Sequence, residues 1–279
     1  MAQALRLIGT QPVKLEELSP RGEEIDRAAS DTRFNDLSRE LGELQELCYA
    51  AGSEALLVVL QGMDTSGKDG TIRSVFDAVN PQGVQVASFK VPTPLELAHD
   101  FLWRIHQQTP AKGMFGIFNR SHYESVLVER VKHLVPEEVW SRRYDQINDF
   151  ERLLTTSGTI VVKFFLHISK GEQKERLLKR EEDAEKSWKL SPNDWIERRS
   201  WPAYLAAYQD ALNRCATPNA PWYVVAADRK WYRDFVIAEV LIETLRPYRK
   251  KWLDSLTERG EVALAEVLAV RESDRDVSN

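Results

Sequence analysis

Residues 56–71 read LLVVLQGMDTSGKDGT. The apolar run Leu56–Leu60 predicts a short buried strand. The glycine-rich turn after it opens into a stretch with helical spacing. Gly62, Gly67 and Lys68 match G-x-x-x-x-G-K, the spacing of a phosphate-binding loop. Such a loop turns successive backbone N–H groups toward a polyanion at a helix start. Its glycines are required because the chain bends tightly there and a Cβ would fill the space of the phosphate. Lys68 is the point charge that reaches the outer phosphates.

Two residues depart from the simple motif. The position after the lysine usually carries a Ser or Thr that holds magnesium; here it is Asp69. The loop also contains Asp64. A carboxylate inside an anion cradle is costly unless a cation or several N–H groups meet it. Asp64 is therefore the first candidate for a magnesium or transfer-site residue.

The chain has 279 residues, 43% of them hydrophobic and 29% charged, the balance of an ordinary globular protein with room for a sizeable core. At a formal net charge of −5 it does not attract nucleic acid by bulk charge, so any polyanion must be met by a local cluster. Cys48 and Cys215 have neither metal-ligand spacing nor a disulfide framework and suit a reducing compartment. No stretch approaches the length of a membrane span. These features suggest a cytoplasmic protein with no membrane or nucleic-acid partner.

On the N-terminal side of the loop, residues 1–20 read as an extended arm lying on the body, or as simply loose. Ile25, Phe34, Leu37, Leu41, Leu44 and Leu47 give residues 22–50 the spacing of one packing helix or two. On the C-terminal side, a helix is expected over Ile72–Val79. A second strand over 84–90 ends at Lys90, and a helix follows from Thr93 or Pro94 to about Gln107. MFGIFN, residues 114–119, is a third buried strand. Its tip carries Asn119, Arg120, Ser121, His122, Tyr123 and Glu124. Strand ends are where open α/β sheets place ligands. Arg120 suits fork-like phosphate contacts, and Asn119 can coordinate through its oxygen without adding charge. His122 is open between a structural role, which weighs more, and ligand contact. Arg130 is open between the cleft and solvent.

A long helix over 136–155 leads to TIVVKFFLHIS, residues 159–169, the clearest central parallel strand. Residues 170–200 are densely charged, with Lys174, Arg176, Lys179, Arg180, Lys186 and Lys189 before Ser191-Pro192. A charged excursion after a strand tip reads as a lid that closes cations over phosphates. A helix over 202–214, a final strand WYVVAAD at 222–228 and a helix over 231–245 complete the core. Residues 247–279 are a charged tail with one amphipathic stretch near Leu253–Leu268. Five parallel strands alternating with helices predict a three-layer α/β/α sandwich in one domain. Within it, 1–50 form the N-terminal arm and helices, 51–169 and 201–248 the core, 170–200 the lid and 249–279 the tail.

A phosphate cradle, a second strand tip bearing arginine and a basic lid point to phosphoryl transfer, which needs positioning and charge neutralisation more than a covalent nucleophile. The residues alone lead to a kinase acting on a phosphorylated small substrate. At this level the sequence resembles the polyphosphate kinase 2 family. The resemblance rests on Gly62-Met63-Asp64-Thr65-Ser66-Gly67-Lys68-Asp69-Gly70 and Phe118-Asn119-Arg120-Ser121-His122-Tyr123-Glu124. It continues in Lys186-Ser187-Trp188-Lys189 with Asp194, and in Ala220-Pro221-Trp222-Tyr223 through Asp228-Arg229-Lys230.

The resemblance implies a thymidylate kinase-like fold and reversible transfer of the terminal phosphate of inorganic polyphosphate to AMP or ADP, with GMP and GDP as further acceptors. It also implies Mg2+ or Mn2+ as cofactor and a homodimer or homotetramer, with the helices at either end of the chain as candidate contacts. Asn119 and His122 resemble the group that accepts both mono- and diphosphates. The implied roles follow the motifs. Asp64 and Asn119 serve the metal. Gly62, Ser66, Gly67, Lys68, Asp69, Gly70 and Arg73 hold phosphate. Arg120 clamps the nucleotide phosphate, and Lys90, Glu124 and Arg130 line the acceptor side. Arg176, Lys179, Arg180, Lys186 and Lys189 guide the polyphosphate, and Asp194 holds the lid or a second metal. Two alternatives share the loop: an ATP-dependent nucleoside monophosphate kinase, disfavoured by Asp69, and a non-enzymatic polyphosphate or nucleotide sensor.

Overall fold

A computed structural model of the chain describes residues 4–183, 185, 188 and 190–277. Its six strands are β1 (Leu5–Leu7), β2 (Ala55–Gln61), β3 (Val84–Ser88), β4 (Phe115–Asn119), β5 (Thr159–His167) and β6 (Trp222–Ala226). They form one sheet in the order β1-β6-β5-β2-β4-β3. β2 is buried along its whole length, as its unbroken apolar run requires. It pairs in parallel with β4 on one side, Leu60 opposite Asn119, and with β5 on the other, Gln61 opposite Phe165. From β2 the chain moves to one side of the sheet for β3 and β4, then to the other for β5 and β6. The end of β2 is thus the topological switch point, where a doubly wound sheet opens a crevice.

The helices are α1 (Arg27–Ala51), α2 (Lys68–Val75), α3 (Pro94–Leu97), α4 (Trp103–His106), α5 (Val128–Val131), α6 (Glu137–Trp140), α7 (Arg143–Thr156), α8 (Lys170–Glu182), α9 (Pro192–Glu197), α10 (Trp201–Arg214) and α11 (Lys230–Val277). α1, α2 and α11 pack together, while α7 lies on β5 and α10 packs on α5. Among the described residues, no helix is long and apolar enough to cross a membrane.

Four expectations need correction. The sheet has six strands, not five, and is mixed, because β1 adds antiparallel to β6 with Leu5 opposite Val224. Three residues are too few to show a pattern, so the signal is tertiary. The rest of the arm lies on the body, the first of the two expected alternatives: Val13 exchanges hydrogen bonds with Asn213, and Leu15 is buried. The helix expected over 94–107 is two single turns, α3 and α4, separated where the Asp100 carboxylate accepts from the Leu102 N–H instead of leaving the backbone to a helix ladder. The helix expected over 136–155 is broken between α6 and α7, beside Arg143, whose guanidinium reaches the Ser125 carbonyl and Glu129. Finally, the tail is not separate. α11 runs on through Pro247, although proline removes a helical hydrogen bond. Packing on α1 and the turn after it outweighs that loss: Arg246 forks onto Glu40 of α1 at 2.6 and 2.7 Å, and the buried Trp252 indole donates to Glu54, just before β2, at 2.7 Å.

Candidate active site

The loop between β2 and α2 wraps the phosphate position expected from the motif. Gly67 lies at φ 105° as the residue before α2. A Cβ there would come within 1.8 Å of Arg233 Nη1, so conformation and space both require glycine. Thr65 takes φ 61°, an uncommon backbone for a β-branched residue. The hydroxyl oxygens of Thr65 and Ser66 are buried without a hydrogen-bond partner. Buried polar atoms are almost always paired, so these two mark a place built for something further. Gly70 lies exposed in the first turn of α2, as does Asp69, and Arg73 is exposed one turn on.

Lys68 is buried and folds back on its own loop, its ammonium donating to the carbonyls of Gly62 at 2.8 Å and Met63 at 3.3 Å. Burial, helped by the Arg120 charge, pushes its pKa down to about 8, against the pull of Asp64, Glu124 and Asp69. Arg120, at the tip of β4, sits at φ 62° with its N–H on the Leu60 carbonyl. Its guanidinium donates to Asp64 at 2.8 Å and to Glu124 at 3.4 Å. Burial works against the Arg120 charge, but the Glu124 and Asp64 carboxylates outweigh it and its pKa is raised. Burial raises the pKa of Glu124, with Arg120 and Lys68 opposing. Asp64, Lys68, Arg120 and Glu124 therefore form one charge-coupled group across two strand tips, as two separate motifs suggested.

Asn119 donates its amide to Asp69 at 2.8 Å, joining the tip of β4 to the start of α2. His122 is structural. Its ring meets Glu151 at 3.1 Å in a buried cluster with Tyr123 and Lys163, and burial lowers its pKa. Lys90 is exposed just past β3.

The lid elements bring surprises. Arg176 of α8 does not face a substrate channel. Nε donates to Glu172, Nη1 to the carbonyls of Thr65 and Ser66, and Nη2 to those of Ala227 and Asp228, all between 2.7 and 3.2 Å. A guanidinium has five N–H donors: four hold the loop against the end of β6, and the fifth pairs with Glu172 of its own helix. The expected polyphosphate contact is corrected to a positioning role. Arg130 is also corrected. It donates to Asp210 at 2.7 Å and to the Tyr144 hydroxyl, and stacks over Trp140, in a groove separate from the one lined by Asp64 and Arg120. Lys179 is exposed on α8. Arg180 donates to Asp194 at 2.8 Å. Burial, with the negative charge of Asp64, raises the Asp194 pKa, so α9 brings this carboxyl into the field of the loop. Lys186 and Lys189 lie outside the described residues.

Several site residues carry no local signal in the sequence. Gln61, Gln173, Arg198, Trp201, Tyr204 and Tyr208 stand around the cleft over Asp64 and Arg120 or support its wall. The buried Arg233 donates to the Ser66 carbonyl at 3.2 Å and pairs with Asp234, which accepts from Thr71. The strand tip Asp228-Arg229-Lys230 was the nearest available hint of Arg233, one turn farther on.

A divalent cation fits on limited terms. Among the described residues no three His, Cys, Asp or Glu side chains are grouped to hold a metal. Magnesium, however, is commonly held by one or two carboxylates with water and substrate phosphates. Asp64 on the loop is that kind of contribution, with Asp194 facing it.

The comparisons agree with this geometry. A family described as polyphosphate kinase 2 (PPK2) matches residues 24–252. The chain is 57% identical over 209 residues to a Meiothermus ruber protein named AMP/ADP-polyphosphate phosphotransferase, covering 75% of this chain and 78% of that one. It is 41% identical over 236 residues to a Rhodopseudomonas palustris ADP-polyphosphate phosphotransferase, covering 80% and 82%. The crystal structure of polyphosphate kinase 2 from Arthrobacter aurescens superposes with a TM-score of 0.83 at 42% identity, covering 86% and 87%. With the loop, the second strand tip and the matched span in agreement, the chain belongs to the polyphosphate kinase 2 family.

Proposed function

We propose that this protein is a polyphosphate:nucleotide phosphotransferase that moves the terminal phosphate of inorganic polyphosphate reversibly onto AMP and ADP, with GMP and GDP as further acceptors. The observation that carries the reading is the coupled group of Asp64, Lys68 and Arg120 in one cleft, on a chain whose family membership is secure. In the forward direction an anionic oxygen of the nucleotide's last phosphate attacks the terminal phosphorus of the polymer. One P–O bond forms, the bond to the penultimate phosphate breaks, and the electron pair leaves with the shortened polymer. The attacking oxygen is already charged, so no strong general base is needed.

The protein's part is positioning and charge. The loop N–H groups and the Thr65 and Ser66 hydroxyls receive the transferring phosphate. Lys68 leaves its carbonyl partners for phosphate oxygens. Arg120 exchanges part of its pairing with Asp64 and Glu124 for the nucleotide phosphate. Lys179, Arg180, Lys186 and Lys189 guide the polymer, and Lys90 lies toward the acceptor. Asp64 would hold Mg2+ or Mn2+ together with phosphate and water, with Asn119 as a polar neighbour and Asp194 closing from the lid. When bound, the cation offsets the charge that develops on the phosphate oxygens. A cytoplasmic setting is supported by the free, buried Cys48 and Cys215.

The acceptor range is tested by supplying AMP, ADP, GMP and GDP in turn, with polyphosphate as the only donor and Mg2+, Mn2+ or a chelator present, and reading products by chromatography. Product from both AMP and ADP, abolished by the chelator, is expected. Product from ADP alone would remove the dual-acceptor reading.

A further inference from the structure

The Ser66 carbonyl is the meeting point of two arginines behind the phosphate loop. Arg176 of α8 and Arg233 of α11 each donate Nη1 to it at 3.2 Å. Arg233 is only 2% exposed, and its Nε and Nη2 both rest on one oxygen of Asp234 at 2.7 Å. That oxygen also accepts from the Thr71 hydroxyl at 3.2 Å, so the pair is tied to α2 as well as to the loop.

This is an unfavourable place for a cation. Burial lowers the pKa of Arg233, Asp234 opposes, and the like charge of Arg176 adds to the lowering. Arg233 is also the fourth residue of α11, near the positive end of the helix dipole. Stability alone does not call for such a pair, since apolar side chains of similar volume often replace a buried ion pair without loss. The Ser66 carbonyl supplies the reason. The Ser66–Gly67 peptide is trans, and a trans peptide points its C=O and N–H in opposite directions. With the oxygen drawn back onto two guanidiniums, the Gly67 N–H is turned away from them. Charged donors on the oxygen also polarise the peptide and make its N–H a stronger donor.

We infer that Arg233, with Asp234 as its counter-ion, is a positioning residue for phosphoryl transfer: together with Arg176 it clamps the Ser66 carbonyl from behind, so that the Gly67 N–H is aimed at an anionic phosphate in the loop. The inference rests on the loop's being the seat of the transferring phosphate. The two members of the pair act in opposite senses. Loss of the guanidinium slackens the peptide and removes positive charge. Neutralising Asp234 leaves that charge unopposed behind the loop, where an incoming anion offsets it.

Two measurements on the full-length protein test this without requiring turnover. The sequence contains two Ser–Gly pairs, Ser66-Gly67 and Ser157-Gly158. Protein made by cell-free synthesis, with carbon-labelled serine carbonyls and nitrogen-labelled glycine, therefore gives two carbonyl-selected amide signals in NMR, the second an internal reference. In Arg233→Met the Ser66 carbonyl carbon should move upfield, because a charged donor deshields it, while the Ser157 carbonyl stays in place. Calorimetric titration with inorganic tripolyphosphate and Mg2+ should give an affinity about tenfold weaker in Arg233→Met and about threefold tighter in Asp234→Asn. A purely structural pair predicts weakening in both. An unmoved Ser66 carbonyl, wild-type affinity in Arg233→Met, or weaker binding in Asp234→Asn would each overturn the clamp. Asp234→Asn keeps an acceptor oxygen and the shape of the side chain, so it carries the test if Arg233→Met folds poorly. A wild type that binds and follows these signs, yet moves no phosphate to nucleotide, would uphold the clamp and remove the transfer reading. Full transfer with unchanged affinity in both variants would do the reverse.

Discussion

Lys68 rests on two carbonyl oxygens of its own loop, a posture that phosphate binding must undo. Lys68→Ala and Asp64→Asn should each lower phosphotransfer by about a hundredfold or more while the protein stays folded by circular dichroism; rates near wild type from either would remove that residue from the transfer site. The protonation of Lys68 gives a second handle. Its pKa is about 8 in the folded protein, against an ordinary 10.5. Between those values the unfolded chain holds the extra proton, so this group makes stability rise with pH there, and its full cost is felt below about pH 8. Phosphate favours the ammonium, so polyphosphate binding above about pH 8 should take up a proton and weaken as pH rises. Calorimetry in two buffers of different ionisation enthalpy should detect that uptake in the wild type and not in Lys68→Met. Equal proton exchange in both would place the titrating group elsewhere.

At this scale the sequence was legible wherever the chemistry is contiguous. Asp64 and Lys68 sit in one turn, and Arg120 and Glu124 on one strand tip. Arg233 was invisible because its partner, the Ser66 carbonyl, is 167 positions away, and nothing around it in α11 differs from an amphipathic helix. Tyr204 and Tyr208 likewise look like packing residues until α10 is placed beside the cleft.

α8 divides the basic lid into two kinds of cation. Arg176 has all five donors on protein acceptors, whereas Lys179 is exposed. Arg176→Ala removes a charged donor from the carbonyls of Thr65, Ala227 and Asp228, while that of Ser66 keeps Arg233, and should destabilise the fold by about 2 kcal/mol in denaturant unfolding, with activity falling alongside. Lys179→Ala should stay within about 0.5 kcal/mol of wild type and raise KM for long polyphosphate. Reversed outcomes would return Arg176 to the substrate channel. Composition alone cannot separate the two, since the distinction depends on what the helix face meets. The same limit explains the element boundaries. Strands β2, β4, β5 and β6 announced themselves by apolar runs and β3 by alternation, while the breaks near 98–102 and 141–142, and the continuation of α11 through Pro247, depend on tertiary contacts.

On the scale of the whole molecule, a chain of net charge −5 handles polyanions by gathering its cations at the switch point of the sheet, where β2, β4 and β5 end together. The α/β frame with its parallel central strands followed from the alternation of elements, whereas the order of the strands is set by tertiary pairing that no local pattern records. The antiparallel β1 did not, because its pairing is set by the docked arm. The central claim is that this cleft passes phosphate between an inorganic polymer and a nucleotide. The most direct measurement gives the purified protein AMP, polyphosphate and Mg2+ with no ATP, and follows nucleotides and polymer together by chromatography. ADP and then ATP should form as the polymer shortens. Polymer and AMP left unchanged, by a preparation that makes ADP readily from ATP and AMP, would contradict the account.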